Sequence, residues 1–176
     1  MPRSSGKALL ALPVVVVLVI ADRVTKAIAE ATLWPRYVPR EVWGDFLRWT
    51  LVYNPGAAFG LHLGPYSRWI FMGLTIAALV ILWNLYRHTA PGDRWRLLAI
   101  ALVTAGALGN LVDRVISPDG VVDFIDVGLG DRRWPTFNVA DMAVSTGAIL
   151  LAVVLWGEDK AAARAAAVAR DSTRAT

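Results

Sequence analysis

The chain has 176 residues, of which 56% are hydrophobic and only 18% are charged, and its mean hydropathy is +0.50. About a quarter of the residues in soluble domains are charged, so this composition excludes an ordinary soluble domain and favours a membrane protein. The net charge of +4 does not indicate nucleic-acid binding, because the basic residues lie in short segments between apolar runs.

The sequence contains no cysteine, which excludes disulfides, a cysteine nucleophile and thiolate metal sites. Its two histidines, His62 and His88, have no metal-ligand partner at helical spacing, and we expect both in loops. The sequence therefore predicts neither a metal nor an organic cofactor.

Four apolar runs predict membrane-spanning helices over residues 8–31, 69–86, 97–116 and 137–156. Each has about the 20 residues needed to cross a hydrocarbon core of roughly 30 Å. Helices satisfy their own backbone groups in lipid, so we expect a mainly α membrane fold. The first run follows Arg3 and Lys7, as in a secretory signal peptide. We expect it to be retained, because its apolar pattern continues through Ile28 and three further runs follow.

The segments between the predicted helices differ in character. Residues 32–67 contain strand formers at 46–53 and a turn signal at 54–56, which predicts a small β-rich extracytoplasmic element on the membrane surface. Residues 117–135 hold several Gly and Pro and are predicted to form a loop. We expect residues 1–157 to be one transmembrane domain and the Ala- and Arg-rich residues 158–176 to be a cytoplasmic tail.

The basic residues predict the orientation in the membrane. With four spans both termini lie on one side, which carries nine Lys and Arg, whereas the opposite loops carry six. Because cytoplasmic loops are enriched in these residues, we expect both termini in the cytoplasm.

Acidic residues in or beside the apolar runs are the strongest functional signal. A carboxylate near a bilayer centre costs about 2.5–3.5 kcal/mol on insertion scales, so it usually has a function. The orientation above places four acids near the outer face: Asp22, Asp113, Asp123 and Asp141. The patterns Asn110-Leu-Val-Asp113 and Asn138-Val-Ala-Asp141 would each put an amide beside a carboxylate on one helix face.

Each acid also has an ordinary structural explanation. Asp22 can pair with Lys26 at a helix end, with the lysine extending to the interface. Asp113 can pair with Arg114, which could instead bind a backbone carbonyl, and Gly106 and Gly109 can form a packing seam. A helix dipole can stabilise Asp141, and loop acids such as Asp123 and Asp126 are normally solvated.

Two of these carboxylates in contact would share one proton. One could then activate a water as a base while the other donates to a scissile carbonyl, which is the chemistry of aspartic proteases. This chemistry needs no cysteine, histidine or metal. The residues alone do not decide between Asp123 and Asp126, or raise Asp123 above Asp113.

Five segments in this chain resemble, in order, the lipoprotein signal peptidases (signal peptidase II), which are bacterial membrane aspartic peptidases. They are Asp22-Arg-Val-Thr-Lys26, Asn54-Pro-Gly-Ala-Ala-Phe59, Gly109-Asn-Leu-Val-Asp-Arg114, Val121-Val-Asp-Phe124 and Phe137-Asn-Val-Ala-Asp141. The resemblance implies that Asp123 and Asp141 are the catalytic dyad. It implies supporting or substrate-binding roles for ten further residues: Asp22, Lys26, Asn54, Gly56, Gly109, Asn110, Asp113, Arg114, Asn138 and Ala140.

The same resemblance implies the substrate and the location. The expected substrates are prolipoproteins carrying a diacylglyceryl-cysteine, cut just before that cysteine at the outer face of the bacterial inner membrane. Membrane lipid and globomycin-like cyclic peptide inhibitors are the other expected partners.

Three other functions fit parts of the sequence. A proton-coupled transporter would need polar residues toward the cytoplasmic side, where only Asn84 and Thr104 offer polarity deep in the bundle. A non-enzymatic scaffold would use the acids only to pair helices. A Ser–Lys peptidase would need a serine near Lys26, and Ser145, one turn after Asp141, is the candidate.

Overall fold

The structure is a computed structural model that describes residues 5–56 and 63–174. Within this part of the chain, four helices are long and apolar enough to cross a membrane, which confirms the predicted mainly α fold. They are α1 (Ser5–Thr32), α2 (Ser67–His88), α3 (Arg94–Ile116) and α4 (Val139–Arg174). His88 is the last residue of α2, so its prediction as a loop residue is wrong, and His62 lies outside the described residues.

The last helix departs most from its predicted bounds. It begins at Val139, two residues later than expected, so that Asn138 precedes it. It also continues to Arg174 without a break at Gly157, so the Ala- and Arg-rich residues extend the membrane helix. The predicted domain boundary at residue 157 therefore coincides with no change of secondary structure.

A four-stranded antiparallel sheet forms within the described residues, in the order β1-β2-β3-β4. Strands β1 (Arg40–Trp43) and β2 (Leu47–Asn54) confirm the predicted β-rich segment between the first two helices. However, β3 (Val121–Leu129) and β4 (Arg132–Arg133) lie in the segment predicted to be a loop, so that prediction is wrong. Asp123 and Asp126 interrupt the apolar run of β3 and hide its strand character in the sequence.

The sheet packs directly on the ends of the helices. Leu51 of β2 and Phe124 of β3 are buried with Ala29 and Leu33, which lie at and just after the end of α1. Backbone hydrogen bonds also join β3 to the residues before α4: the amides of Phe124 and Ile125 donate to the carbonyl oxygen of Phe137 at 3.0 and 2.8 Å. Strand β3 is thereby fixed across the ends of the first and last helices.

Helix α3 is the most buried of the four spans: 39% of its most apolar stretch is buried, against 6% for α1 and α2. A Cβ atom at Gly106 would lie 2.2 Å from the carbonyl oxygen of Ala140, and one at Gly147 would lie 2.8 Å from Leu102 Cβ. Only glycine permits this approach of α3 and α4, so the predicted packing seam exists at Gly106. Arg68 of α2 donates to the terminal carbonyls of α3, including that of Val115 at 2.9 Å.

Candidate active site

The two acids predicted to form the dyad line one cavity of about 600 Å³ at the sheet end of the helix bundle. Asp123 is the third residue of β3, and Asp141 comes from the first turn of α4. Asn54, Asn110 and Arg114 line the same cavity. Two carboxylates and two side-chain amides therefore converge on it.

Asn138 joins the two carboxylates. Its Nδ2 donates to Asp123 Oδ1 at 2.7 Å, and its Oδ1 accepts from the backbone amide of Asp141 at 2.9 Å. Asp141 reciprocates, since its Oδ2 accepts from the backbone amide of Asn138 at 3.2 Å. This is a capping box at the start of α4, in which the side chains of Asn138 and Asp141 each accept a hydrogen bond from the backbone amide of the other residue. The prediction that Asn138 and Asp141 share one face of a helix is therefore wrong, because Asn138 lies just before α4 and caps it.

Asn110 orients the other oxygen of Asp141. Its Nδ2 donates to Asp141 Oδ1 at 2.8 Å, while its Oδ1 accepts from Asn138 Nδ2 at 3.2 Å. Lys26 Nζ donates to that Oδ1 as well, at 3.1 Å. These contacts fix which end of the Asn110 amide points toward Asp141.

Lys26 lies between two carboxylates inside the bundle. Its Nζ is 2.8 Å from Asp22 Oδ2 and 2.7 Å from Asp113 Oδ2, and the three side chains are at most 1% exposed. Arg23, one-third exposed, also pairs with Asp113. The predicted Asp22–Lys26 contact is present, but the expectation that Lys26 extends to the interface is wrong. Two cations balance two acids here, as a low-dielectric interior requires.

Asp22 connects this charge cluster to α4. Its Oδ1 accepts the backbone amide of Ala140 at 2.9 Å, which satisfies a free amide in the first turn of that helix. Its Oδ2 contact with Lys26 is electrostatic, since this oxygen accepts no well-aligned hydrogen bond from the described residues. A Cβ at Gly109 would lie 2.6 Å from that oxygen and 3.1 Å from Ala140 Cβ. The small size of Gly109 is therefore required by its contact with Asp22.

Arg114 does not pair with Asp113. Its Nη2 donates to the carbonyl oxygen of Gly56 at 2.8 Å, and its Nη1 donates to that of Asn110 at 3.3 Å. The expected Asp113–Arg114 pair is therefore wrong, whereas the alternative, a bond to a backbone carbonyl, is present. Asp113 instead accepts the backbone amide of Val122 at 3.2 Å, which attaches β3 to α3 beside Asp123.

The turn after β2 contacts Asp123 from the other side. Asn54 Nδ2 donates to Asp123 Oδ2 at 3.2 Å, and Asn54 Oδ1 accepts the backbone amide of Gly56 at 3.0 Å. The rest of that sequence block, residues 57–59, lies outside the described residues.

The electrostatic environment of Asp123 favours its protonated form. Its side chain is 2% exposed, and burial together with the charge of Asp141 raises its pKa to about 7. Hydrogen bonds from Asn54 and Asn138 and the charge of Lys26 oppose this rise without cancelling it. Asp123 can therefore hold a proton near neutral pH, as one member of a proton-sharing pair must.

Asp126 has a different environment, although it is only three residues farther along β3. Burial alone would raise its pKa, but Arg133, Thr50 and Arg48 together lower it. Arg133 Nε lies 2.5 Å from Asp126 Oδ1, and Thr50 Oγ1 donates to its Oδ2 at 3.0 Å. Asp126 therefore holds the strands together and does not line the cavity. Sequence reasoning missed this cluster, because the register that brings Arg133 to Asp126 depends on two unrecognised strands.

Sequence reasoning also missed much of the cavity wall. Seven of the missed residues come from the segment before α4 and the first two turns of that helix: Trp134, Pro135, Thr136, Phe137, Met142, Val144 and Thr146. Ser145, named from the sequence as a candidate nucleophile, lines the cavity with them. No group of three or more His, Cys, Asp or Glu residues suited to a metal ion occurs in residues 5–56 and 63–174.

The described residues define a membrane protein whose polar site, built from carboxylates and amides, lies at one end of a helix bundle. Residues 14–156 match the family described as Signal peptidase (SPase) II, and the chain belongs to this family. A lipoprotein signal peptidase from Ectopseudomonas mendocina is 42% identical over 155 residues, covering 86% of this chain and 90% of that protein. One from Polynucleobacter necessarius is 38% identical over 150 residues, covering 84% and 87%.

Two further matches differ in how much of each protein they cover. A lipoprotein signal peptidase from Cupriavidus taiwanensis is 48% identical over 111 residues, so the matched segment spans only 61% of each protein. A solved structure titled as a bacterial membrane enzyme superposes with a TM-score of 0.75 at 36% identity, covering 85% of this chain and 88% of that one. The fold and the family therefore agree.

Proposed function

We propose that this protein is an aspartic endopeptidase that removes the signal peptide of prolipoproteins by cutting just before a diacylglyceryl-cysteine. The observation that carries the proposal is the joining of Asp123 and Asp141 through Asn138 on one cavity. Family membership supports the same reaction class. The location we propose is the bacterial inner membrane, with both termini cytoplasmic and the sheet end of the bundle at the outer face.

The environments of the two acids assign their roles. Asp123, with its raised pKa, carries the shared proton. Asp141 is the carboxylate, and its charge is one of the causes that raise the pKa of Asp123. Its oxygens accept hydrogen bonds from the Asn110 side chain and the Asn138 backbone. Asp141 takes a proton from the attacking water while Asp123 donates its proton to the scissile carbonyl oxygen. When the resulting tetrahedral diol collapses, the proton on Asp141 passes to the departing amine of the cysteine, and Asp123 recovers its own.

The remaining predicted residues act through these two acids. Lys26 and Asp22 hold α1 against the start of α4, where Asp141 lies. Arg114 holds the turn at Gly56, which places Asn54 on Asp123. A diacylglyceryl group anchored in the outer leaflet would hold the scissile bond at the depth of this cavity. Globomycin-like cyclic peptides are expected to compete for the same cavity.

Two alternative functions find less support. A second cavity of about 410 Å³, between α1, α2 and α3, is lined mostly by apolar residues such as Leu12, Val15 and Leu82. Thr104 and Tyr86 are the lining residues that carry a hydroxyl. That lining disfavours a proton path through the bundle. A Ser–Lys peptidase is disfavoured because Lys26 Nζ contacts Asp22 and Asp113, at 2.8 and 2.7 Å, and not a serine.

The test is cleavage of a diacylated prolipoprotein by purified protein in lipid vesicles. Asp123→Asn and Asp141→Asn should each abolish cleavage while the protein remains folded. Asp119→Asn, which changes an exposed acid paired with Arg36, should cleave at the unmodified rate. Normal cleavage by both folded dyad variants would rule out the mechanism. Equal cleavage of the same precursor without its lipid would rule out the proposed substrate class.

A further inference from the structure

The cavity that holds the two acids extends along α4 beyond Asp141. Ser145 and Thr146 line it, and both side chains are exposed. They lie one turn after Asp141, about 6 Å farther along the helix axis at 1.5 Å per residue. Both are within Val139–Lys160, a stretch that is long and apolar enough to cross a membrane.

These two hydroxyls differ from most other helix-borne hydroxyls in the chain. Threonine in a membrane helix usually donates to the carbonyl four residues earlier. Thr25, Thr75 and Thr89 do so here, at 2.8, 2.7 and 2.8 Å. Within residues 5–56 and 63–174, Ser145 and Thr146 donate to no such carbonyl and to no other group. Thr104, in the cavity between α1, α2 and α3, also donates to no group of the described residues. What distinguishes Ser145 and Thr146 is that they line the cavity of the two acids, where their hydroxyls are available to a polar group of a bound substrate.

We propose that Ser145 and Thr146 form a subsite that hydrogen-bonds the peptide backbone of the substrate just before the scissile bond. This inference rests on the proposed peptidase function. A signal peptide that spans the membrane as a helix satisfies its own backbone groups, but a segment being cut must be extended at the dyad. Extension frees amides and carbonyls that need new partners in a medium without water.

The direction of α4 decides which side of the scissile bond this subsite serves. In the proposed orientation α4 runs inward from Asp141, so Ser145 and Thr146 lie deeper than the dyad. The amino-terminal part of a signal peptide lies deeper as well, because it remains on the cytoplasmic side. An extended chain advances about 3.3 Å per residue, so 6 Å corresponds to about two residues before the cleaved bond.

The first arm of the test removes both hydroxyls with little change of shape, as Ser145→Ala with Thr146→Val. With a synthetic diacylated lipopeptide in vesicles, kcat/KM should fall about 10- to 100-fold, the loss expected for two hydrogen bonds. Thr75→Val, which removes a hydroxyl already bonded to its own helix, is the matched control and should cleave normally. Thermal unfolding of the double variant should match that of the unmodified protein.

The second arm tests direct contact. An ester replaces the amide two residues before the scissile bond, which removes one backbone donor and weakens one acceptor. The ester should slow the unmodified enzyme and have little further effect on the double variant. Unchanged kcat/KM in the double variant, or an equal ester effect in both enzymes, would overturn the subsite while leaving the dyad intact. Failure of the unmodified enzyme to cleave the lipopeptide would instead overturn the peptidase function and the subsite with it.

Discussion

The raised pKa of Asp123 predicts a specific dependence of stability on pH. The folded protein holds the Asp123 proton up to about pH 7, whereas the unfolded chain releases it near pH 3.8. This difference corresponds to about 4 kcal/mol, at about 1.4 kcal/mol per pH unit. Because the folded pKa is the higher one, this contribution to stability is full below about pH 4. It is lost progressively as the pH rises to about 7.

Asp123→Asn removes this titration and nothing else that ionises. Between pH 5 and pH 7 the unmodified protein should lose about 2 kcal/mol that the variant retains. Thermal unfolding in detergent, measured at half-unit pH intervals for both proteins, gives the difference directly. Because the charge of Asp141 helps to raise the pKa of Asp123, the difference between the two curves reports the titration of the pair. Parallel curves for the two proteins from pH 5 to pH 8 would refute the protonated state assigned to Asp123.

Three further predictions concern activity and packing. Above about pH 7, kcat/KM should fall about tenfold per pH unit as Asp123 loses its proton, and a flat profile to pH 9 would contradict its role as the acid. Lys26→Met should lower stability by about 3–5 kcal/mol because it leaves buried Asp22 without a cation, whereas Asp113 keeps Arg23. Adding Asp22→Asn should restore part of this loss in thermal unfolding. Gly106→Ala should lower the unfolding temperature by several degrees, because the new Cβ would meet the Ala140 carbonyl oxygen. Gly73→Ala, which has open space around it, is the control and should leave the unfolding temperature unchanged. Equal shifts for the two variants would refute the close packing of α3 and α4.

The helices were predictable because apolar length alone indicates a membrane span. Likewise, Asp22 and Lys26 met as expected, because their spacing of four residues brings them together in any helix. The fate of Lys26 was not predictable. Whether a lysine extends to the interface or stays buried depends on Asp113, a partner 87 residues away in another helix.

The two Asn-x-x-Asp patterns show a second limit of sequence reasoning. The pattern ending at Asp113 lies within α3, while the one ending at Asp141 is a capping box at a helix start. A shift of two residues in a helix boundary separates these outcomes, and boundaries are the least predictable part of a helix. Similarly, the choice between Asp123 and Asp126 depended on family resemblance. The strand register determines that Asp123 contacts Asn138 and that Asp126 contacts Arg133, and this register cannot be read from one sequence.

The contact between Asp22 and the backbone of Ala140 bears on how this protein is made. These residues are 118 positions apart, on the first and last helices, so the site is incomplete until α4 has entered the membrane. Helix α1 can insert early, because Lys26 neutralises Asp22 within the same helix. Asp113 in α3 finds its cation only on α1, so the third helix depends on the first for its charge balance. The order of synthesis thus supplies Asp22 and Asp113 with their cations, and the cavity that holds Asp123 and Asp141 closes last.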